Sequence, residues 1–225
     1  MKKTQIIVVI ITFLISCKSE SIRILSKYDS GQIKEQIIGG IDSIPEGYKL
    51  KQIFYKDGSL KCQGTVLKNQ RDGRWKCYFK NGELEWTANY SYGEENGITE
   101  CFYPNGTWKK SKLVKGILQG PTTEYNFDAI ENRYFVVNGQ YENDLEQGLW
   151  ISKYKDEKYR SITNYKNGLK EGEFIQFHEN GTKSVLGKFQ NDELQDSILI
   201  YNDEAKLVRI EIYDKGKLIK EKKMR

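Results

Sequence analysis

The chain alternates apolar and polar residues in short runs, and this alternation predicts β-strands. From about residue 50 onward the runs are rich in Tyr, Phe, Trp, Val and Thr, and no helical period interrupts them. Four turn dipeptides separate the runs: Asp57-Gly58, Asn81-Gly82, Asn105-Gly106 and Asn180-Gly181. Both residues of such a dipeptide tolerate positive φ, so we expect tight hairpins there and looser turns between them. The pattern predicts an all-β fold of tandem β-hairpins in an extended antiparallel meander sheet.

The hairpins repeat with a period close to 24 residues. Two glycine series mark the period: Gly58, Gly82 and Gly106, and then Gly73, Gly97, Gly120, Gly148 and Gly172, which Asp196 continues. Large side chains stand two residues after the second series, at Trp75, Trp150 and Phe174. A period of this length indicates units that stack on their neighbours. We expect a degenerate first unit over 28–57 and an insertion within 126–140.

The first residues combine positive charge, an apolar run and a cysteine. Lys2 and Lys3 precede Ile6–Ile15 (IIVVIITFLI), an apolar run too short for a membrane-spanning helix, which needs about 20 residues. The next motif, Leu14-Ile15-Ser16-Cys17, resembles the lipobox of bacterial lipoproteins, and this resemblance implies acylation of Cys17 and cleavage before it. Two or three acyl chains anchor a protein stably to a membrane. The alternative is an ordinary secretory signal with an incidental cysteine.

These features predict three segments. Residues 1–16 are expected to be a lipoprotein signal peptide, 17–27 a lipidated tether, and 28–225 the repeat domain. Lys18 stands where an Asp would resemble an inner-membrane retention signal, so the expected location is the cell envelope, on the outer rather than the inner membrane.

Composition narrows the class of protein. Hydrophobic residues make up 38% of the chain, charged residues 30% and aromatic residues 12%, with 15 Tyr, which suits a thin, half-exposed sheet rather than a thick aliphatic core. The formal net charge of +5 is spread over interspersed Lys, Arg, Asp and Glu, without the basic stripe that nucleic-acid binding needs. The single His excludes a metal cage built from several histidines, and no cofactor is expected.

The repeat resembles a known family. Its pattern, Tyr-x-Asn-Gly-x-Leu followed by Gly-x-Trp-x-x-Tyr, is carried best by residues 55–106 and extends over roughly 50–216. It is similar to the MORN repeat variant of bacterial lipoproteins and of a toxin–antitoxin-type group. The resemblance implies a scaffold for protein contact, membrane association or assembly, and a fold of this kind does not fix the function.

Three further cysteines, Cys62, Cys77 and Cys101, lie in the repeats. A turn at Gln70–Asp72 would place Cys77 opposite Thr65, and Cys101 lies one repeat beyond Cys77, about two strand spacings away. We therefore expect free, half-buried thiols. One disulfide with an odd thiol left over is the alternative.

Other candidate residues follow the repeat as well. His178 occupies a turn position that Phe79, Tyr103 and Tyr154 hold in other units, so we expect a structural substitute for an aromatic residue rather than a catalytic base. The four tryptophans, Trp75, Trp86, Trp108 and Trp150, are either a packing stripe, which their spacing favours, or a binding face.

The resulting hypothesis is a non-catalytic interaction scaffold, anchored to a membrane through lipid on Cys17, with a protein partner and without nucleic acid. The alternatives are a cell-wall or glycan-binding lipoprotein that uses exposed aromatic residues, and an antitoxin or immunity-like protein. An enzyme is not expected, because a thin meander rarely forms a pocket of clustered polar side chains.

Overall fold

The computed structural model describes residues 20–224, and they form one antiparallel sheet of 17 strands. The strands are β1 Ser21–Lys27, β2 Ile33–Gly39, β3 Tyr48–Phe54, β4 Leu60–Leu67, β5 Gln70–Tyr78, β6 Leu84–Ser91, β7 Glu94–Phe102, β8 Trp108–Val114, β9 Ile117–Asp128, β10 Arg133–Glu142, β11 Leu145–Tyr154, β12 Tyr159–Lys166, β13 Leu169–Phe177, β14 Lys183–Gln190, β15 Glu193–Tyr201, β16 Leu207–Asp214 and β17 Lys217–Lys223. Over this range no helix is long and apolar enough to cross a membrane.

Each strand pairs with the strands that precede and follow it in the chain, so the sheet is a simple meander with β1 and β17 at its edges. The predicted all-β meander is therefore confirmed. The sheet begins earlier than expected, because Ser21–Lys27, placed in the tether by the sequence, pairs with β2. The insertion within 126–140 lengthens the hairpin of β9 and β10.

The two kinds of turn are reversed relative to the prediction. The two-residue hairpins, with positive φ at both residues, lie at the other end of the units, as at Lys68 (49°) and Asn69 (67°). The predicted dipeptides form wider turns in which Gly58 has positive φ and Asp57 does not. There the Asp57 side chain accepts a hydrogen bond from the Ser59 amide at 2.9 Å, and Asn81, Asn105 and Asn180 repeat this contact. The Asn or Asp serves as a side-chain acceptor, which is the alternative role of these residues in turns.

The second glycine series places a β-bulge in each unit. Gly73 (83°) lies in the left-handed region, and Asp196 (63°) keeps the same conformation although it carries a side chain. The register of neighbouring strands shifts at these positions, for example between Gly64 and Val66 of β4. The bulges therefore decide which residues of adjacent strands face each other.

The two faces of the sheet differ. One, here called the packed face, carries the buried side chains Trp75, Cys77, Ala88, Trp150, Phe174 and Ile198; the opposite side is called the open face. On the packed face the large residues lie over cross-strand glycines. A Cβ atom at Gly64 would overlap the Trp75 ring, and one at Gly139 would overlap Trp150. In this chain a single layer of sheet therefore buries aromatic rings by packing each ring over a glycine on the adjacent strand.

Candidate interaction site

The structure divides the four tryptophans between the two faces. Trp75 (fully buried) and Trp150 (9% exposed) lie on the packed face with the half-buried Trp86, whereas Trp108 lies on the open face opposite Phe102. The Trp75 indole N–H donates to the Thr65 carbonyl oxygen at 2.9 Å. Residues on opposite sides of one sheet cannot line a single binding surface, so the four side chains do not form one face.

Trp108 belongs to an aromatic stack beside the insertion. Its ring lies 6.0 Å from that of Tyr125, which in turn stacks on Tyr134 at 5.0 Å, and Phe127 packs against Tyr134 at 4.9 Å. Aromatic pairs in this geometry use their ring faces against each other. Tyr125, which lies between Trp108 and Tyr134, therefore has no free ring face for a sugar.

The prediction of free thiols at Cys62 and Cys77 is wrong, because these residues form a disulfide with Cα atoms 4.1 Å apart. The turn lies at Lys68 and Asn69 instead of Gln70–Asp72, which by itself would bring Leu60 opposite Cys77. The bulge then shifts the register back by two residues, so that Cys62 faces Cys77 directly. Both sulfur-bearing side chains are buried against Trp75 in the cluster that also contains Ile37 and Val66.

Cys101 is the odd thiol, since it is free in the structure. It lies on the packed face between Trp86 and Lys109 of the neighbouring strands. Burial raises the pKa of its thiol and the Glu95 carboxylate raises it further, while Lys109 acts in the opposite direction. A thiol with a raised pKa is a poor nucleophile at neutral pH.

His178 replaces a structural aromatic residue, as the sequence predicted. Its Nε2 atom lies 2.9 Å from the Tyr201 carbonyl oxygen, across to the next unit. The equivalent Tyr28 and Tyr55 hydroxyls donate to the carbonyls of Phe54 and Tyr78 at 2.8 and 2.9 Å. The imidazole therefore repeats a contact between units.

An arginine on the packed face is held by aromatic rings. The Arg71 guanidinium lies 4.3 Å from the Trp75 ring centroid and 5.1 Å from that of Tyr90, and it donates to the Tyr90 hydroxyl at 2.9 Å. That hydroxyl donates to Glu95 at 2.8 Å. Burial, followed by the hydrogen bond with Glu95, raises the pKa of Tyr90. The contacts over ring faces are cation–π interactions that fix the charge in place.

A second polar group lies further along the same face, where Thr99 and Thr122 replace the large residues of the repeat. Lys109 contacts Glu124 at 2.8 Å and the Tyr141 hydroxyl at 3.2 Å. Burial opposes the charge of Lys109, but the hydrogen bonds with Glu124 and Tyr141 outweigh it and raise the pKa of the ammonium. The charged groups are paired with one another, so the middle of the packed face is polar and its charges are compensated.

The edge strand β1 offers an open site. Ile22, Ile24 and Leu25 are 64%, 46% and 41% exposed, and within residues 20–224 their strand pairs with β2 alone. A depression of about 330 Å³ adjoins β1 on the packed face, with Ile37 and Val66 among its apolar residues.

Cationic side chains line the same depression: Arg23, Lys49 and Lys51. Lys51 is paired with Glu35 at 2.9 Å. Within residues 20–224, neither Arg23 nor Lys49 has a carboxylate at ion-pair distance. The site therefore combines an apolar floor, uncompensated positive charge and the free backbone groups of an edge strand.

The opposite edge has a different chemistry. Every residue of β17 is exposed, and four of its seven residues are lysines. Lysines on an edge strand discourage pairing with another chain. The β1 edge, whose central residues are Ile-Arg-Ile-Leu, lacks this protection.

Lipidation and metal binding were also considered in the sequence analysis. Cys17, the predicted lipidation residue, lies outside the described residues, as does the predicted signal peptide 1–16. Among the residues that the structure describes, no group of three or more His, Cys, Asp or Glu could hold a metal ion.

Comparison with known proteins finds a family match for two of the hairpins. The family model of the MORN repeat variant matches residues 71–91 and 170–191, which cover β5–β6 and β13–β14. The two matched segments are equivalent hairpins, one in each half of the sheet. Among curated proteins nothing matches the chain.

Proposed function

The chain carries MORN repeat variant units, and on this premise we propose that it is a lipid-anchored, extracytoplasmic scaffold that captures a protein partner at the β1 edge. The MORN repeats and the extended repeat sheet fit a protein-interaction scaffold. The lipid anchor, the extracytoplasmic location and the protein partner are the parts that we propose.

The chemistry of β1 carries the proposal. An extended segment of a partner can add to an edge strand through backbone hydrogen bonds, and side-chain pockets then give specificity. Of the two edges, β1 is apolar and adjoins the depression lined by Arg23 and Lys49, whereas β17 is protected by lysines. The expected partner segment is therefore extended, with apolar side chains and at least one carboxylate.

Two observations support an extracytoplasmic location. Disulfides persist in oxidising compartments and are rare in the cytosol, and Cys62 and Cys77 form one. The lipobox-like Leu14-Ile15-Ser16-Cys17 would place the anchor only four residues before β1. An anchored protein would then hold its capture site close to the membrane surface.

A photocrosslinking amino acid at position 25 is expected to capture the partner on intact cells. Position 219 in β17 is the matched control, because Ile219 is also an exposed aliphatic residue of an edge strand (63%). We expect a defined protein adduct from position 25 and none from position 219, detected by mass spectrometry of the purified adduct.

Reversing the charge of Arg23 and Lys49 tests whether the partner is bound through these cations. Arg23→Glu with Lys49→Glu is expected to reduce the adduct at least fivefold, since a loss of about 1 kcal/mol already corresponds to about fivefold. Lys217→Glu with Lys220→Glu changes the same charge at β17 and is expected to leave the adduct unchanged. Equal adducts from both edges, or cell-wall glycan without protein at position 25, would contradict the proposal.

Cys17→Ala is expected to abolish incorporation of an alkyne-labelled fatty acid and to release the protein from the membrane fraction, because the thiol that carries the lipid is missing. Cys101→Ala removes a thiol that lies within the sheet and serves as the control, with label and membrane fraction unchanged. Label retained by Cys17→Ala would refute the predicted anchor.

A further inference from the structure

One row of cross-strand partners runs along the open face through the whole sheet. In β2–β10 every member of the row is polar: Gln36, Gln52, Gln63, Lys76, Thr87, Glu100, Lys110, Thr123 and Asn138. In β11–β16 every member is aliphatic: Ile151, Ile162, Ile175, Leu186, Leu199 and Ile210. The row becomes charged again at Lys222 in β17.

The aliphatic row therefore has sharp ends. Its six residues are all half-buried by their neighbours in the sheet, and within residues 20–224 no second layer covers them. Three of the same strands, β11, β13 and β15, also bury a large apolar side chain on the packed face, at Trp150, Phe174 and Ile198. Strands that are apolar on both faces are typical of sheets covered on both sides.

Two flanking rows widen the surface. Leu149, Asn164, Glu173, Lys188, Ser197 and Ile212 follow one side of the aliphatic row. Lys153, Tyr159, Phe177, Lys183, Tyr201 and Leu207 follow the other. Leu149 is 59% exposed and Tyr159 41%, so apolar side chains extend beyond the central row.

We propose that the open face of β11–β16 packs against the same face of a second copy of this chain. The two-fold axis would lie parallel to the strands, between β13 and β14. Such an axis places β11 of one copy over β16 of the other, β12 over β15 and β13 over β14. The two copies would then form the two-layered β-sandwich that a single sheet lacks.

This axis matches the flanking residues by chemistry. It brings Leu149 to Ile212 of the second copy and Glu173 to Lys188, and each contact occurs twice. Asn164 meets Ser197, and on the other flank Tyr159 meets Tyr201. An axis perpendicular to the strands would instead bring Lys188 to Lys183 of the second copy. Charge complementarity therefore selects one arrangement.

The area is sufficient for a specific dimer. Six strands about 4.8 Å apart and three side-chain rows about 6.8 Å apart cover roughly 600 Å² per copy. Two copies would bury about 1,200 Å², the lower end of the range for specific interfaces. The polar row of β2–β10 confines the contact to this half of the sheet, which leaves the β1 edge of each copy free.

A pair of introduced cysteines tests the arrangement in the full acylated chain. In a Cys101→Ala background, Leu149→Cys with Ile212→Cys is expected to give a covalent dimer on a non-reducing gel after mild oxidation of membranes. Within one chain these positions lie five strands apart, about 24 Å, too far for a disulfide. Leu149→Cys alone is expected to stay monomeric, because its own equivalent lies equally far away across the axis.

The control pairs Ile212→Cys with Ile98→Cys, since Ile98 is 37% exposed on the open face of β7 in the polar half. We expect at least tenfold less dimer from this pair. No dimer from the 149 and 212 pair, or as much dimer from the control or from Leu149→Cys alone, would overturn the proposal.

A second measurement needs no crosslink. Sedimentation velocity of the detergent-solubilised chain is expected to show a dimer, and Leu186→Lys, at the centre of the row, is expected to weaken association at least tenfold. Ile98→Lys is the control and is expected to leave the dimer intact, with circular dichroism showing that both variants fold. A wild-type monomer, or a dimer unchanged by Leu186→Lys, would refute the interface. Neither experiment depends on a partner at β1, so the proposed function and the dimer can fail separately.

Discussion

Trp75→Ala is expected to lower the free energy of unfolding by about 3–5 kcal/mol, the usual cost of removing a buried tryptophan. Trp75 is fully buried, packs against the Cys62–Cys77 disulfide and donates a hydrogen bond to the Thr65 carbonyl. Alanine would leave a cavity and remove the hydrogen bond to the Thr65 carbonyl. Urea denaturation followed by circular dichroism measures the change.

A double-mutant cycle with Gly64 tests whether the packing of the Trp75 ring over Gly64 contributes to this stability. A Cβ atom at Gly64 would overlap the Trp75 ring, so Gly64→Ala alone is expected to destabilise the protein by about 1–3 kcal/mol, typical of overpacking. In the Trp75→Ala background the same substitution is expected to cost little, which gives a coupling energy of at least 1 kcal/mol. Additive effects would contradict direct packing of the indole over Gly64.

Trp108→Ala is the matched control for the loss of an indole. Trp108 is half-buried on the open face and stacks on Tyr125. Because its surroundings are partly solvated, we expect a smaller loss of stability than at Trp75. An equal loss at both positions would mean that the packed face is not where the stability of this half of the sheet resides.

Removal of the disulfide by Cys62→Ala with Cys77→Ala is expected to cost about 3 kcal/mol, from a closed loop of 15 residues. Alanine avoids burying a serine hydroxyl at two positions where the side chains are 7% and 1% exposed. The midpoint of urea denaturation should fall for this variant, and the midpoint of the wild type should also fall when dithiothreitol is added.

Cys101→Ala is the control for that experiment, because Cys101 is the free thiol of the sheet. Its stability is expected to remain sensitive to dithiothreitol, like that of the wild type. In denaturant without reductant, maleimide should label Cys101 and leave Cys62 and Cys77 unlabelled. Labelling of all three cysteines, or a midpoint that does not respond to reduction, would show that the bridge is absent in solution.

Repeat spacing made much of the fold predictable. Glycines 24 residues apart and large residues two positions later predict equivalent units, and Trp75, Trp150 and Phe174 are confirmed as buried residues of one face. His178 is confirmed in the turn position of an aromatic residue. These predictions succeed because each depends on contacts between adjacent strands, which a short sequence period determines.

The pairing register of adjacent strands could not be predicted from the repeat spacing. The two-residue turn lies at Lys68 and Asn69, where Lys is not a residue expected at positive φ, and the bulge beyond it brings Cys62 opposite Cys77. One residue of shift moves a side chain to the opposite face of a strand. For the same reason the sequence could not separate Trp108 from the other three tryptophans.

The sequence by itself determined the all-β class, the repeat unit and the aromatic positions that fill it, because strand alternation and turn residues act within a few residues of each other. The tertiary structure alone decided the disulfide, the exposed apolar edge at β1 and the change from a polar to an aliphatic row on the open face. Those properties depend on residues up to a whole sheet apart, aligned by bulges whose register shifts accumulate from strand to strand.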